Sequence, residues 1–216
     1  MAPSSVSAVS EASSVDSLTD QIMDRYKKAV FDNRPRDFLP EGRLVEIITD
    51  ASVLEELWGE EDDPDDNKDQ DLVDFILKVA IKLFAIALVS QVRGSKLRTA
   101  MEDFKATNYG DKDLPVTMDP TQKPSAFRSK LWKKLVYRNF LENQWIFIAP
   151  VFQEGRFKLD LAPEHIFPFI WVDNETKNGT FSEVFQVKIH ELHQRNPRNT
   201  VGSFLVLAAS FPVQRL

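Results

Sequence analysis

The chain has 216 residues, a formal net charge of −6 and no cysteine. The absence of cysteine excludes disulfides, thiolate zinc sites and a cysteine nucleophile, and the acidic balance argues against bulk affinity for nucleic acid. Residues 1–16 are rich in serine and small side chains and lack the basic and apolar parts of a secretory signal. We therefore expect a disordered tail and an intracellular protein, either cytoplasmic or nuclear.

Apolar residues at helical spacing then predict a helical region over residues 17–143. Its first helix has one apolar stripe, formed by Leu18, Ile22, Tyr26 and Val30. A second helix is expected to begin near Pro40, because proline suits the first helical turn. A third is expected to begin at a capping box, in which the side chains of Ser52 and Glu55 each bond a backbone N–H.

The run GEEDDPDDNKDQD, residues 59–71, contains eight acidic residues and one lysine. Mutual repulsion predicts a solvated loop. A calcium site of the EF-hand type is the alternative, because oxygen ligands fall at the alternate positions Asp63, Asp65, Asn67, Asp69 and Asp71. Lys68 stands where that loop needs glycine and Asp74 where it needs a bidentate glutamate, so the sequence predicts no metal site here.

Residues 71–90 form the most hydrophobic segment, and they predict a central helix rather than a membrane span. Asp74, Lys78 and Lys82 follow one another at four-residue spacing, which aligns them as one charged stripe. The uninterrupted apolar residues run only from Leu83 to Val89, whereas a bilayer span needs about 20. A further helix is expected over residues 95–105.

Residues 126–145 predict a basic amphipathic helix with Leu131, Leu135 and Val136 on its buried face. Five basic residues surround that face: Arg128, Lys130, Lys133, Lys134 and Arg138. A solvated helix face is the simplest interpretation of these charges. The alternatives are that these residues contact the acidic run, a nucleic acid, a lipid surface or a phosphorylated partner.

Over residues 144–200 the sequence changes to short aromatic and β-branched runs separated by proline, glycine and asparagine, which predict strands. The fold class is therefore α+β, with a helical N-terminal region followed by a small antiparallel β segment. His190 and His193 in HELH lack the spacing of a zinc-binding H-E-x-x-H motif. That spacing should send the two rings apart, and we interpret both as surface residues.

The run GTFSEVFQVKI, residues 179–189, resembles the glycine-rich strand-turn-strand of eukaryotic serine/threonine protein kinases, which covers the phosphates of ATP with backbone amides. The resemblance implies a degenerate loop at the start of a kinase N-lobe, because Lys177 replaces the first glycine and Ser182 the third. It also implies the residues that would contact ATP, which are Gly179, Thr180, Phe181, Ser182 and Val184. Residues 128–195 as a whole resemble the region ahead of the kinase domain in kinase-like proteins of filamentous fungi.

Beyond this loop the sequence departs from the kinase pattern. No lysine follows Lys188, and the chain contains neither H-R-D nor D-F-G, so the third-strand lysine, the catalytic base and the magnesium-binding aspartate of kinases have no counterpart. We therefore predict a truncated kinase-like protein, a pseudokinase without catalytic residues, with at most weak ATP binding. The alternative is a non-enzymatic helical interaction module that recruits an unknown protein partner.

Residues 201–216 form an atypical apolar tail. An altered reading frame or a retained intron is one explanation of its composition. The other is a genuine strand that closes the small sheet.

Overall fold

The structure, a computed structural model, describes residues 17–31, 36–59, 66–117, 119–153, 161–173, 177–178, 183–195 and 204–209. Its α-helices are α1 (Leu18–Met23), α2 (Leu44–Ile47), α3 (Asp50–Trp58), α4 (Asp66–Val79), α5 (Ile81–Val89), α6 (Gly94–Ala106) and α7 (Lys134–Phe147). Its strands are β1 (Lys27–Ala29), β2 (Arg36–Phe38), β3 (Phe152–Gln153), β4 (Phe169–Val172), β5 (Lys177–Asn178), β6 (Glu183–Ile189), β7 (Gln194–Arg195) and β8 (Phe204–Ala209). This mixture of helices and small, mostly antiparallel sheets agrees with the predicted α+β class.

The helical core is built around α5, in which every residue from Leu83 to Leu88 is fully buried. Helices α1, α2, α4, α6 and α7 all contact it. Burial on all sides explains why this segment is apolar around its whole circumference. Within the ranges given above, no helix combines the length and the apolar character needed to cross a membrane.

The central helix predicted over residues 71–90 is divided at Ala80, whose backbone angles of φ −135° and ψ 28° are not helical. The carboxylate of Asp111, which is distant in sequence, accepts hydrogen bonds from the backbone N–H groups of Lys82 and Leu83, both at 3.0 Å. Burial raises the pKa of this carboxyl group. Asp111 therefore caps the start of α5, where Ala80 offers no side-chain cap.

Replacing Asp111 with alanine should lower the free energy of unfolding by about 1–2 kcal/mol, because two N–H donors at the start of α5 lose their acceptor. Urea denaturation followed by circular dichroism measures the change. Lys112→Ala, at the exposed neighbouring residue, should change stability by less than about 0.5 kcal/mol. Equal losses in the two variants would contradict the capping role.

The charged stripe predicted for this segment is divided in the same way. In α4, the Lys78 Nζ lies 2.6 Å from an Asp74 carboxylate oxygen, and both side chains are exposed. Lys82, at the start of α5, instead pairs with Glu41 at 3.0 Å. The three charged residues therefore do not form one stripe. Asp74 and Lys78 form an ion pair on the surface of α4, and Lys82 connects α5 to the segment before α2.

The first helix is shorter than predicted. Helix α1 ends at Met23, and residues Lys27–Ala29 form β1, which pairs antiparallel with β2. Val30 was expected on the buried stripe but is 46% exposed, and its N–H donates to the Phe169 carbonyl at 2.9 Å. Long-range backbone hydrogen bonds, rather than a helical face, therefore determine the conformation of this segment.

Three further helix starts differ from the predictions. Helix α2 begins at Leu44 rather than near Pro40, after a turn. The capping box of α3 is formed by Thr49 and Ser52, whose hydroxyls accept from each other's backbone N–H at 3.3 and 2.9 Å. Helix α4 begins at Asp66, so the second half of the acidic run is helical rather than loop.

The basic segment over residues 126–145 is only partly helical, because α7 begins at Lys134. Leu135 was predicted to be buried but is 60% exposed. The buried residues of α7 are Phe140, Leu141, Gln144 and Phe147. Before the helix, the fully buried ring of Phe127 packs against Trp132 and Phe140 at centroid distances of 4.7 and 5.0 Å.

Strand β6 is the centre of the main sheet. One edge pairs antiparallel with β8 over residues 183–188, so β4 and β5, which also pair antiparallel with β6, share the other edge. Phe169, Val187 and Ile189 are buried beneath the sheet. Residues Phe204–Ala209 of the apolar tail thus form a strand in the sheet. Of the two explanations of that tail, the genuine strand describes this arrangement.

Candidate functional site

The predicted nucleotide loop connects β5 to β6. Lys177 pairs with Val184 and Asn178 with Glu183, so the two strands form an antiparallel hairpin whose connection is the four residues 179–182. Of the predicted contact residues, Val184 lies in β6. The others, Gly179, Thr180, Phe181 and Ser182, lie outside the described residues.

The neighbouring strand limits the positive charge that this hairpin can offer. Val184 pairs with Ala208 of β8 on its other side, and β8 contains no lysine. Alanine at this position brings no ammonium group to the phosphates of a nucleotide. A phosphate held at this hairpin would therefore gain no lysine from β8.

A groove of about 450 Å³ lies where the start of α6 meets the segment that leads into α7. Its lining residues are Gln91, Val92, Ser95, Lys96, Thr99, Lys130, Leu131, Lys133 and Val136. Three lysine side chains thus border one groove together with the apolar residues Val92, Leu131 and Val136. In the part of the chain that the structure describes, no carboxylate lies within 4.0 Å of any of these three lysines.

Both helices that border the groove begin there without a side-chain cap. Their N-cap residues are Arg93 for α6 and Lys133 for α7, and neither helix has an acidic residue in its first turn. A helix N-terminus carries a partial positive charge. The potential in the groove is therefore more positive than the three lysines alone would make it, which suits an anionic ligand.

No protein-family model, curated protein or solved structure matches this chain. The ligands that suit the hairpin and the groove therefore follow from the chemistry of their residues. The connection of the hairpin, residues 179–182, contains no charged residue, whereas three lysines and an apolar surface line the groove. Each suits a different class of ligand.

The sequence pattern identified the basic residues on one side of the groove only. Lys130 and Lys133 belong to the predicted basic run, but Lys96 comes from α6 and was not singled out. Of the remaining basic residues in the run, Arg138 is paired with Glu142 at 3.6 Å on the exposed face of α7. The start of α6, RGSK, has two basic residues and no acid, and this lack of a cap was the signal that could have found Lys96.

The prediction that the rings of His190 and His193 are sent apart is wrong, and the prediction of a surface position is wrong for His193, whereas His190 is half-buried. His193 is 1% exposed. Residues Glu191–His193 form a 3-10 turn, and because such a turn repeats every three residues, the two rings lie on one side with centroids 6.0 Å apart. Both stand edge-on to the ring of Phe38.

His193 connects the C-terminal segment to the helical body. Its Nε2 accepts a hydrogen bond from the Glu41 N–H at 3.1 Å, and its Nδ1 donates to the Pro150 carbonyl at 3.1 Å. Burial is the main reason that the pKa of His193 is lowered to about 4, against smaller opposing effects of the Pro150 hydrogen bond and the Glu41 charge. Because both ring nitrogens are engaged, we interpret His193 as a structural residue rather than a metal ligand or general base.

The described ranges contain no group of three or more histidine or acidic residues arranged to hold a metal ion. Among the positions of the calcium alternative, Asn67, Asp69 and Asp71 lie in helix α4, whereas an EF-hand needs them in a loop. These three residues therefore do not form part of an EF-hand calcium loop. Asp63 and Asp65 lie outside the described residues.

Proposed function

We propose that the chain is a protein-kinase-like protein, catalytically incomplete, whose β5–β6 hairpin holds Mg-ATP weakly. The observation that carries this proposal is that β6 pairs antiparallel with β4, β5 and β8, and that four residues connect β5 to β6. Kinases cover ATP with a glycine-rich hairpin of this kind. The resemblance to kinase-like proteins of filamentous fungi supports the same assignment.

The proposal extends to binding and not to phosphate transfer. The sequence has no H-R-D or D-F-G, so the groups that hold magnesium and accept the substrate proton in kinases have no counterpart in it. Strand β8, which pairs with β6, contains no lysine that could pair with the phosphates. Backbone donors assisted by Lys177 are consistent with a Kd of about 1 mM, at the weak end of specific binding.

Thermal unfolding with and without Mg-ATP tests the hairpin. At a Kd of about 1 mM, about 5 mM Mg-ATP stabilises the folded chain by about 1 kcal/mol, which raises Tm by about 2–4 °C for a chain of this length. Phe181→Ala should remove most of this shift, because Phe181 belongs to the connection. Val45→Ala, at a residue 65% exposed on α2, should leave it intact.

A control must separate the hairpin from the groove, since ATP is itself a polyanion. The double variant Lys96→Glu with Lys133→Glu reverses two charges of the groove and leaves the hairpin unchanged. If this variant loses the ATP shift while Phe181→Ala retains it, ATP binds in the groove and the hairpin assignment is wrong. Sodium sulfate at matched ionic strength measures the effect of salt alone.

A second function, a helical interaction module, is favoured by the lysine-lined groove. In this proposal the sheet is structural, and the helical body recruits a protein partner by electrostatic complementarity. The same titration separates the two functions. A chain that shows no shift at millimolar Mg-ATP has no nucleotide site, and the interaction module remains.

A further inference from the structure

We propose that the groove between α6 and α7 binds an acidic peptide segment of a partner protein, with one aliphatic side chain of that segment against Leu131 and Val136. This inference rests on the second proposed function, the interaction module. It does not involve nucleotide, so the failure of one proposal leaves the other testable.

The charge of the ligand follows from the groove itself. Lys96, Lys130 and Lys133 line it without a carboxylate within 4.0 Å among the residues the structure covers, and two uncapped helix starts add positive potential. The chain as a whole carries a net charge of −6. A concave basic site on an acidic protein attracts a negatively charged partner to that one place.

Several carboxylates fit this lining better than one phosphate group. The lining contains three lysines and no arginine, so it offers compact point charges rather than a planar guanidinium fork. Its three lysines are separate point charges contributed by two segments of the chain. Successive acidic side chains of a peptide can distribute their charges over the three positions.

The apolar part of the lining indicates a peptide rather than a free anion or a membrane. Val92 is 2% exposed, so the accessible aliphatic surface of the lining comes mainly from the half-buried Leu131 and Val136. An inorganic anion gains nothing from such surface. An anionic bilayer is broad and flat and cannot follow a concave groove, whereas a peptide with an aliphatic side chain between acidic ones matches it.

Fluorescence anisotropy with the full chain and the labelled peptide Asp-Glu-Leu-Glu-Asp tests the proposal. We expect a Kd of about 10–100 µM at low salt, which weakens as salt is added. Lys96→Glu with Lys133→Glu should weaken binding at least about tenfold. Lys28→Glu with Lys112→Glu changes the net charge equally at exposed residues outside the groove, and should leave affinity within about twofold.

The groove variant should remain folded. Lys133 is the N-cap of α7 and Lys96 lies in the first turn of α6, and a glutamate at the start of a helix is favoured by the helix dipole. Its Tm is therefore expected to be equal to or above that of the wild type. Loss of peptide binding with an unchanged or raised Tm supports the groove as the site.

Four results would overturn the proposal. Equal weakening in both double variants would show that binding follows net charge alone, and equal affinity for the peptide with serine in place of leucine would show that the apolar lining is not used. Tighter groove-dependent binding of a phosphoserine peptide, or of phosphatidylserine vesicles, would assign the groove to those ligands. Peptide binding only after Glu60, Glu61, Asp62 and Asp63 are changed to amides would identify the chain's own acidic run as the occupant.

Discussion

Lowering the pH from about 7.5 to about 4 should reduce the free energy of unfolding by on the order of 3 kcal/mol through His193 alone. Burial lowers the pKa of this ring from 6.5 to about 4 in the folded chain. Between these values the unfolded chain binds a proton that the folded chain does not, so stability is complete above pH 6.5 and is lost as the pH falls toward 4. Urea unfolding at a series of pH values measures the loss.

The contacts of His193 explain why the folded ring resists protonation. A proton on Nε2 would face the Glu41 N–H, which is already a donor to that atom, inside a site closed to water. His193→Gln retains a donor and an acceptor but does not titrate. Its stability should depend on pH less steeply, by up to about 1.4 kcal/mol per pH unit between pH 4 and 6.5. Parallel profiles for the two proteins across this range would contradict a neutral, buried ring.

The position of the core was predictable because it depends on the amount of apolar sequence. Residues 83–89 are apolar without interruption, and a helix of that composition has to be covered on all sides. The break at Ala80 was not predictable from local sequence. It depends on Asp111, a distant carboxylate that supplies the cap for α5.

The apolar stripe of the first predicted helix shows a second limit of prediction from sequence, which is geometric. A spacing of four residues places side chains on one face of a helix, but four is an even number, so the same residues also share one face of a strand. Leu18 and Ile22 take the helical alternative, whereas residues 27–29 form a strand. Pairing with β2, which local periodicity does not contain, decides between them.

The two candidate sites also differ in how far apart their residues lie in the sequence. The hairpin is local, so the run around Gly179 was sufficient to predict two strands and a short connection. The groove joins α6 to the segment before α7, and its charge is evident only when Lys96 is brought beside Lys130 and Lys133. His193 is similar, because its burial depends on Glu41 and Pro150, both remote in sequence.

Gln144 is a polar residue on the buried face of α7, where sequence pattern alone would favour an apolar one. It is fully buried. Its Oε1 accepts from the Val116 N–H at 2.7 Å, and its Nε2 donates to the carbonyls of Val116 and Leu141 at 3.0 and 3.1 Å. One side chain therefore satisfies both backbone polar groups of Val116, which is itself 2% exposed.

Gln144→Leu should lower the free energy of unfolding by about 3 kcal/mol, because the N–H and carbonyl of Val116 would remain buried without partners. For a chain of this length the loss corresponds to a fall in Tm of about 6–12 °C, measurable by calorimetry. Glu142→Leu introduces the same side chain at an exposed position of α7, where a 3.6 Å contact with Arg138 is lost, and should change stability by less than about 1 kcal/mol. Equal stability of the Gln144→Leu variant and the wild type would show that the segment around Val116 does not depend on this side chain.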